Sequence, residues 1–204
     1  MSKYKKVMMK TAIIWSEESY CKKRKVGAVV ERNGHILDIG YNGTIAGVDN
    51  NCETTMYECN YCKNREDSLE KLVQSLPTIG VRYTYGVEVP LKCKYCSKTI
   101  AILTDGGRGL EQQRSKDKYS VIPATNDFTI HAEQNIITNC AKEGISLKGA
   151  TMYVTTSPCK TCAKLIAGSG ISKVYYATEY KDLSGVKYLN DLGIKTELYE
   201  VERD

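Results

Sequence analysis

The chain has only two histidines in 204 residues. Any metal centre in it must therefore take most of its ligands from other residue types. No apolar run approaches the roughly 18 residues that a membrane-crossing helix needs. The first residues, Met1-Ser2-Lys3-Tyr4-Lys5-Lys6, lead into a helix carrying Glu17 and Glu18, not into an apolar signal segment. There is no internal repeat and no low-complexity tract. Excess charge is also small: a net +5 suits a phosphorylated small molecule but does not demand nucleic acid. These absences point to a cytoplasmic protein with neither a membrane nor a nucleic-acid partner.

What the chain does have is a proper core composition and many cysteines. With 42% hydrophobic residues it can bury a core as one domain with decoration. Nine cysteines, an odd number with no export signal, suggest metal ligation in a reducing compartment and not a disulfide framework.

Residues 4 to 21 read as a helix, with Tyr4, Met8, Ala12, Trp15 and Ser19 recurring at three- and four-residue spacing. The basic run Lys22-Lys23-Arg24-Lys25 precedes a strand at 26–30. Asn33-Gly34 is a two-residue hairpin signal, and the return strand at 35–41 opens into the loop Asn42-Gly43-Thr44. From about 48 to 128 the pattern weakens. That stretch holds Cys52, Cys59, Cys62, Cys93 and Cys96, and the glycine run Gly106-Gly107-Arg108-Gly109, which reads as a flexible loop. A structureless loop of that length is improbable in a compact domain, so the cysteines are expected to fold it. Order returns with a helix at 131–144, a strand at 150–155 and a helix opened by Pro158 at its first position. A strand at 173–177, a short helix at 186–192 and a last strand at 196–201 follow. The expected fold is α/β, a five-stranded mixed sheet between helices, forming a single domain over 1–204 with an insertion at about 48–128.

Chemistry concentrates at two places, His131-Ala132-Glu133 and Thr155-Thr156-Ser157-Pro158-Cys159-Lys160-Thr161-Cys162, each at an expected helix start. Zinc prefers tetrahedral nitrogen and sulfur ligands, and a catalytic site keeps one corner for water. His131, Cys159 and Cys162 supply one imidazole and two thiolates and leave that corner open. Helix N-termini favour thiolate over thiol, and a Cys-x-x-Cys pair spans about one helical turn. Glu133, two residues from His131, can reach the water without being a ligand and can move protons. A lone Cys-x-x-Cys is ambiguous between redox, structural zinc and chance, and a lone histidine is more often an ordinary helix residue. Their conjunction carries the reading. His-x-Glu…Pro-Cys-x-x-Cys is the signature of zinc nucleobase deaminases.

The same stretches, together with Lys25-Val26-Gly27-Ala28-Val29-Val30, Gly40-Tyr41-Asn42-Gly43-Thr44, Ala163-Lys164-Leu165-Ile166 and Gly170-Ile171-Ser172-Lys173-Val174-Tyr175, carry a family resemblance. The chain resembles the deoxycytidylate (dCMP) deaminase branch of the cytidine deaminase superfamily, in its phage-type form. The resemblance implies a three-layer α-β-α sandwich and hydrolysis of dCMP to dUMP and ammonia, supplying thymidylate synthesis. It implies a catalytic zinc on His131, Cys159 and Cys162, with Glu133 as the proton shuttle. It puts the Ala132 backbone against the cytosine carbonyl, Asn42 at the sugar and the Ser157 backbone at the exocyclic amine. Tyr153 and Tyr180 would be walls of the base pocket, with ordinary sheet or core packing as the alternative. It also implies a homo-oligomer, often hexameric, activated by dCTP and inhibited by dTTP. Ile45 departs from the pattern, since the family often has proline there, in the loop associated with effectors.

Other readings remain beside this one. Deamination of dCTP, alone or with dCMP, would need more basic residues. A polynucleotide deaminase needs a groove with stacked aromatics and broad positive charge. Near-balanced charge argues against that, as does Ser157, where tRNA adenosine deaminases commonly have glutamate. An inactive scaffold carrying a zinc-ribbon interaction module is opposed by the intact Glu133.

The basic run 22–25 is either a solvated helix end, where positive charge is favoured anyway, or a phosphate contact through Lys23 and Arg24. Cys59-x-x-Cys62 and Cys93-x-x-Cys96, about 30 residues apart, read as two knuckles of a second, structural zinc site with four cysteine ligands. Tyr61 and Lys63, and Lys94 and Tyr95, recur around the two pairs. By resemblance there is a competing arrangement. Phage-type relatives hold a structural zinc with a cysteine after the first helix, one after the Gly-Tyr-Asn-Gly loop, and two histidines upstream of His-Ala-Glu. Cys21 and Cys52 match the two cysteines, but the histidines are absent. Those two are therefore alternative ligands that join Cys59 or Cys62, hold a separate site, or are relics. Cys140 reads as a buried helix cysteine.

Overall fold

The computed structural model describes residues 4–74, 88–105, 110–113 and 118–201. The glycine run at 106–109 lies outside the described residues. In chain order the elements are α1 (Lys5–Glu17), β1 (Gly27–Arg32), β2 (His35–Tyr41), β3 (Gly43–Thr44), β4 (Glu53–Cys59), β5 (Arg65–Glu66), α2 (Leu69–Leu72), β6 (Glu88–Lys92), β7 (Thr99–Asp105), β8 (Leu110–Gln113), β9 (Tyr119–Thr125), β10 (Thr129–Ile130), α3 (Ala132–Lys142), β11 (Thr151–Thr156), α4 (Lys160–Ser169), β12 (Lys173–Thr178), α5 (Ser184–Asp191) and β13 (Lys195–Leu198). They fall into two compact units, one made of Met1–Cys52 with Asn126–Asp204, the other of Glu53–Thr125.

The first unit is built on a five-stranded sheet in the order β13-β12-β11-β1-β2. Asn33 and Gly34 take φ of 56° and 84°, the left-handed pair that a two-residue hairpin turn with the right twist requires. This turn sets Arg32 opposite His35, so β1 and β2 run antiparallel. β1 is also antiparallel to β11. β11, β12 and β13 are mutually parallel, which demands crossovers, and α4 and α5 supply them. β11 is central and covered on both faces, so Met152, Tyr153 and Val154 are all buried. Strand alternation sends them to different cores. Met152 and Val154 join Ala28, Val30, Ile136, Ala163, Ile166 and Leu189 from α3, α4, α5 and β1. Tyr153 joins Met8, Met9 and Ala12 of α1, with Val29 and Tyr175. The result is helix, sheet, helix, the α/β sandwich expected.

The structure shifts several expected boundaries, two of them near the site. α1 ends at Glu17 and does not reach 21. Beyond it the Lys25 ammonium donates to the Glu17 carbonyl at 2.7 Å, and Ser19 Oγ donates to the Asn42 carbonyl at 2.7 Å, so the chain leaves the helix to meet the end of β2. Pro158 stands before α4, not in its first turn, because Cys159 has extended backbone and is itself the N-cap.

The second unit holds two three-stranded sheets, β5-β4-β9 and β6-β7-β8. Its described core gathers Leu72, Val73, Leu91, Ile100, Ala101 and Tyr119 around Cys59 and Cys93. Among the described residues, no helix is long and apolar enough to cross a membrane.

α1 touches β1 backbone to backbone at Gly27. A Cβ there would stand 2.0 Å from the Ala12 carbonyl oxygen and 2.6 Å from the Ser16 nitrogen. Neither neighbour is a flexible side-chain end, so Gly27→Ala must push the helix off the sheet. Overpacking of this kind costs about 1–3 kcal/mol, which in a chain of this size lowers Tm by about 2–4 °C per kcal/mol. Thermal melting followed by circular dichroism checks it, and an unchanged Tm would contradict the described packing.

Candidate active site

Two helix starts converge. β10 pairs with β3 and delivers the chain to His131, the N-cap of α3. The His131 backbone N–H donates to Gln134 Oε1 at 2.8 Å, which fixes the entry of that helix. β11 leads through Ser157 and Pro158 to Cys159, the N-cap of α4, and Cys162 follows in its first turn. His131 Nδ1 lies 3.6 Å from Cys159 Sγ and 3.3 Å from Cys162 Sγ. All three ligand atoms fall within 4.8 Å of one another. Tetrahedral zinc, with Zn–S of about 2.3 Å and Zn–N of about 2.0–2.1 Å, has S···N edges of about 3.6 Å. The donor set fits zinc in both chemistry and spacing. Exposure is graded, from exposed His131 through half-buried Cys159 to buried Cys162. A catalytic metal needs such a side open to solvent.

Glu133 sits one residue into α3 and is only 3% exposed. Burial pushes its carboxyl up from the usual range, while a backbone hydrogen bond and the charge of His131 pull against that. The neighbouring Cys162 thiol pulls it down as well, while the charge of Cys159 pushes it up. Cys159 is pulled down to about 3 by hydrogen bonds from Cys162 and then from His131. Cys162 is pushed up by the Cys159 sulfur it faces and by burial. His131 is raised chiefly by its contact with Cys159, with burial opposing. Two sulfurs and an imidazole thus face one point, with a buried carboxyl beside them.

The expected substrate residues divide. Ala132 is buried in the first turn of α3. Ser157 is pinned between strands: its N–H donates to the Thr178 carbonyl, and its Oγ accepts from the Tyr180 N–H, both at 2.8 Å. Tyr180 is half-buried, and the Arg24 guanidinium carbon lies 5.1 Å from its ring centroid. Sequence-distant Arg24, Tyr180 and Ser157 therefore form one connected edge leading to Cys159. Lys23 is exposed beside Arg24. Lys25 of the same run caps the end of α1, as a solvated helix terminus would have it. Asn42 is a brace for the backbone. Its Oδ1 accepts from the Val26 N–H at 2.7 Å, and its Nδ2 donates to the Arg24 carbonyl at 2.9 Å. It thereby supports the loop that carries the basic run. Tyr153 is a correction. It is fully buried in the α1-side core and stacked on Tyr175 at 5.1 Å, because its position on β11 points away from α3 and α4.

Cys21 and Cys52 are a second correction. They form a disulfide, with Cα atoms 5.1 Å apart, and a sulfur so bonded has no thiolate to offer a metal. The expectation that every cysteine serves as thiol or ligand fails at this pair. The physical cause is adjacency. Cys21 follows Ser19 where that residue bonds Asn42, while the Cys52 carbonyl accepts from the Asn126 N–H and Thr129 Oγ1. Among the described residues, the groups able to hold a metal with three or more ligands are His131, Cys159 and Cys162, and Cys59, Cys62, Cys93 and Cys96.

Three supporting residues are not evident from the sequence motifs. Gln134 was legible in principle, since glutamine three residues after an N-cap is a capping-box signal. Asn135 Nδ2 donates to the Tyr41 carbonyl at 3.1 Å and ties α3 to β2. Gly185 carries no signal at all: a Cβ there would meet the Pro158 carbonyl oxygen at 2.1 Å, so α5 touches the backbone just before Cys159.

Comparison with known proteins agrees with this geometry. A family model described as the cytidine and deoxycytidylate deaminase zinc-binding region matches residues 1–178. The chain is 36% identical to the deoxycytidylate deaminase of Enterobacteria phage T4 over 173 residues, 85% of this chain and 77% of that protein. It is 29% identical to the deoxycytidylate deaminase of Mycobacterium phage D29 over 80% of this chain and 86% of the other. Among solved structures it is similar to the dCMP deaminase of cyanophage S-TIM5 in complex with dCMP and dUMP, with a TM-score of 0.60, 29% identity and 98% of both chains covered.

Thiol counting separates the disulfide from free ligands. Seven of the nine cysteines are unbridged. Titration in denaturant with a chelator should give seven thiols without reductant and nine after reduction. Nine before reduction would contradict the Cys21–Cys52 bond.

Proposed function

The chain belongs to the cytidine and deoxycytidylate deaminase family, and from this we propose that it hydrolyses dCMP to dUMP and ammonia. The observation that carries the reading is the buried Glu133 carboxyl beside His131, Cys159 and Cys162. His131, Cys159 and Cys162 would hold a zinc ion, which when bound would lower the pKa of a water and supply hydroxide near neutral pH. Glu133 takes one proton from the attacking water and gives it to the pyrimidine ring nitrogen, then takes the remaining proton from the hydroxyl of the tetrahedral adduct and gives it to the amine, which leaves as ammonia while the carbonyl forms. Its burial keeps competing water away from that exchange. The Ala132 backbone and the Ser157 backbone lie on the two helix entries and orient the base between them. Arg24 and Lys23 take the 5′-phosphate through charge-assisted contacts, with Arg24 held toward the site by Tyr180 and by the Asn42 brace. The relatives' names support dCMP as substrate, and deoxycytidine triphosphate is the competitor to be tested against it.

Regulation by dCTP and dTTP, and assembly as a homo-oligomer such as a hexamer, belong to the same proposal. They rest on the family resemblance. The loop after β3, with exposed Ile45 and Val48, is the segment that resemblance associates with effectors.

Ammonia release from dCMP, dCTP, deoxycytidine and single-stranded oligonucleotides, assayed in parallel, tests the reading. The highest kcat/KM is expected for dCMP, and a preference for dCTP or oligonucleotide would overturn it. Glu133→Gln should lower kcat by about 10²–10⁴-fold with zinc content unchanged. Charge reversal at Lys23 and Arg24 should raise KM for dCMP more than for deoxycytidine. Equal effects on the two would remove the phosphate role.

A further inference from the structure

We infer that Cys59, Cys62, Cys93 and Cys96 hold a second zinc ion, and that this ion organises the fold of the Glu53–Thr125 unit and takes no part in catalysis. The four cysteines stand on two loops of matching construction. One loop joins β4 to β5, the other joins β6 to β7. In the first, the Cys59 N–H donates to the Asn64 carbonyl and the Lys63 N–H to the Cys59 carbonyl, at 3.0 and 2.8 Å. In the second, the Cys93 N–H donates to the Lys98 carbonyl and the Ser97 N–H to the Cys93 carbonyl, at 2.9 and 2.8 Å. Each loop bends through a non-glycine residue in the left-handed region just after its second cysteine, Lys63 at φ 61° and Ser97 at φ 58°. Such backbone is disfavoured for a residue with a side chain and persists only where surroundings enforce it. A sequence-distant pair of loops that repeats the same strained bend, with cysteines at the same two places, is built to present sulfur.

The sulfurs meet across the loops. Cys59 Sγ is 3.7 Å from Cys96 Sγ, and Cys62 Sγ is 3.8 Å from Cys93 Sγ. All four lie within 4.8 Å of one another. The S···S edge of a zinc tetrathiolate with Zn–S of about 2.3 Å is about 3.8 Å, whereas a disulfide is about 2.05 Å. Both pairs cross from one loop to the other at the length of a tetrathiolate edge, well beyond a disulfide bond. Asn64 Nδ2 reaches Cys62 Sγ at 3.4 Å, an outer donor to a sulfur of the kind that orients metal ligands. Four protein ligands fill the coordination sphere, and two of the sulfurs are fully buried, so there is no corner for a reacting water.

Why metal should matter to this unit follows from its described core. Cys59 and Cys93 are themselves two of its buried residues, and Cys62 and Cys96 pack against it. The described core is thus centred on four sulfurs, and zinc that ties together the sulfurs of a core contributes folding free energy outright. The second loop is also the point where α2 is tied in: Lys94 N–H donates to the Leu72 carbonyl and Gln74 N–H to the Lys92 carbonyl.

The test measures zinc per chain in the full-length protein by mass spectrometry, together with hydrogen exchange. The unaltered protein should carry two zinc ions, and Cys62→Ser with Cys96→Ser should carry one, with faster exchange confined to Glu53–Thr125. A second variant, His131→Ala with Cys162→Ser, removes the other site. It should retain one zinc and, loaded with cobalt(II) instead, show the visible absorption of a tetrahedral tetrathiolate. No metal in that second variant would overturn the site, whatever the fate of the first. Metal loss in the first variant with exchange unchanged would overturn the folding role. Failure of the deaminase reading would leave the second variant's zinc in place, so the two claims fail separately.

Discussion

Three ligand atoms from two helix starts must stand within 4.8 Å of one another, although His131 and Cys159 are 28 residues apart. The first unit is arranged to meet that demand. β11 runs through the centre of the sheet, buried on both faces, and releases Cys159 at its end. The β3–β10 pair releases His131. α3 is held by Gln134 at its entry and by Asn135 on β2, and α5 presses its Gly185 backbone against Pro158 and Cys159. The site's ligands are N-caps and a first-turn residue of packed helices.

Much of this was legible in the sequence, and the reasons are local. Asn33-Gly34 specifies its turn by backbone chirality, so the hairpin could be read directly. The helix starts at His131 and Cys159 are marked by residue chemistry as well as by periodicity. What could not be read depends on neighbours far along the chain. Tyr153 looked like a candidate pocket wall, yet strand alternation on a doubly covered strand sends it to the α1 side. The brace made by Asn42 depends on Val26 and Arg24, and nothing in the spacing shows its amide turned to them. The β4–β5 and β6–β7 turns were hidden because they are cysteine loops without glycine or proline punctuation. Lys63 and Ser97 occupy left-handed backbone where sequence rules expect glycine.

Cysteine does three different jobs in one chain. At Cys159 and Cys162 the sulfurs stand against an imidazole and beside a buried carboxyl, with one side open. At Cys59, Cys62, Cys93 and Cys96 the sulfurs close on one another from two matching loops. At Cys21 and Cys52 they join the segment after α1 to the loop leaving β3, on either side of the Asn42 brace. Ligand number and exposure distinguish the first two: three donors and an exposed histidine permit chemistry, while four donors and buried sulfurs permit only architecture. The odd cysteine, Cys140, is buried in α3 beside Asp38, where burial pushes its thiol up to about 11 and leaves it inert.

The most direct test of the catalytic centre is a crystal structure with anomalous diffraction measured at the zinc edge and dUMP bound. The expected map has an anomalous peak coordinated by His131, Cys159 and Cys162, a fourth position facing the pyrimidine, and the Glu133 carboxyl within hydrogen-bond reach of that position. A fourth protein ligand there, or a Glu133 side chain turned into the core away from the base, would contradict it.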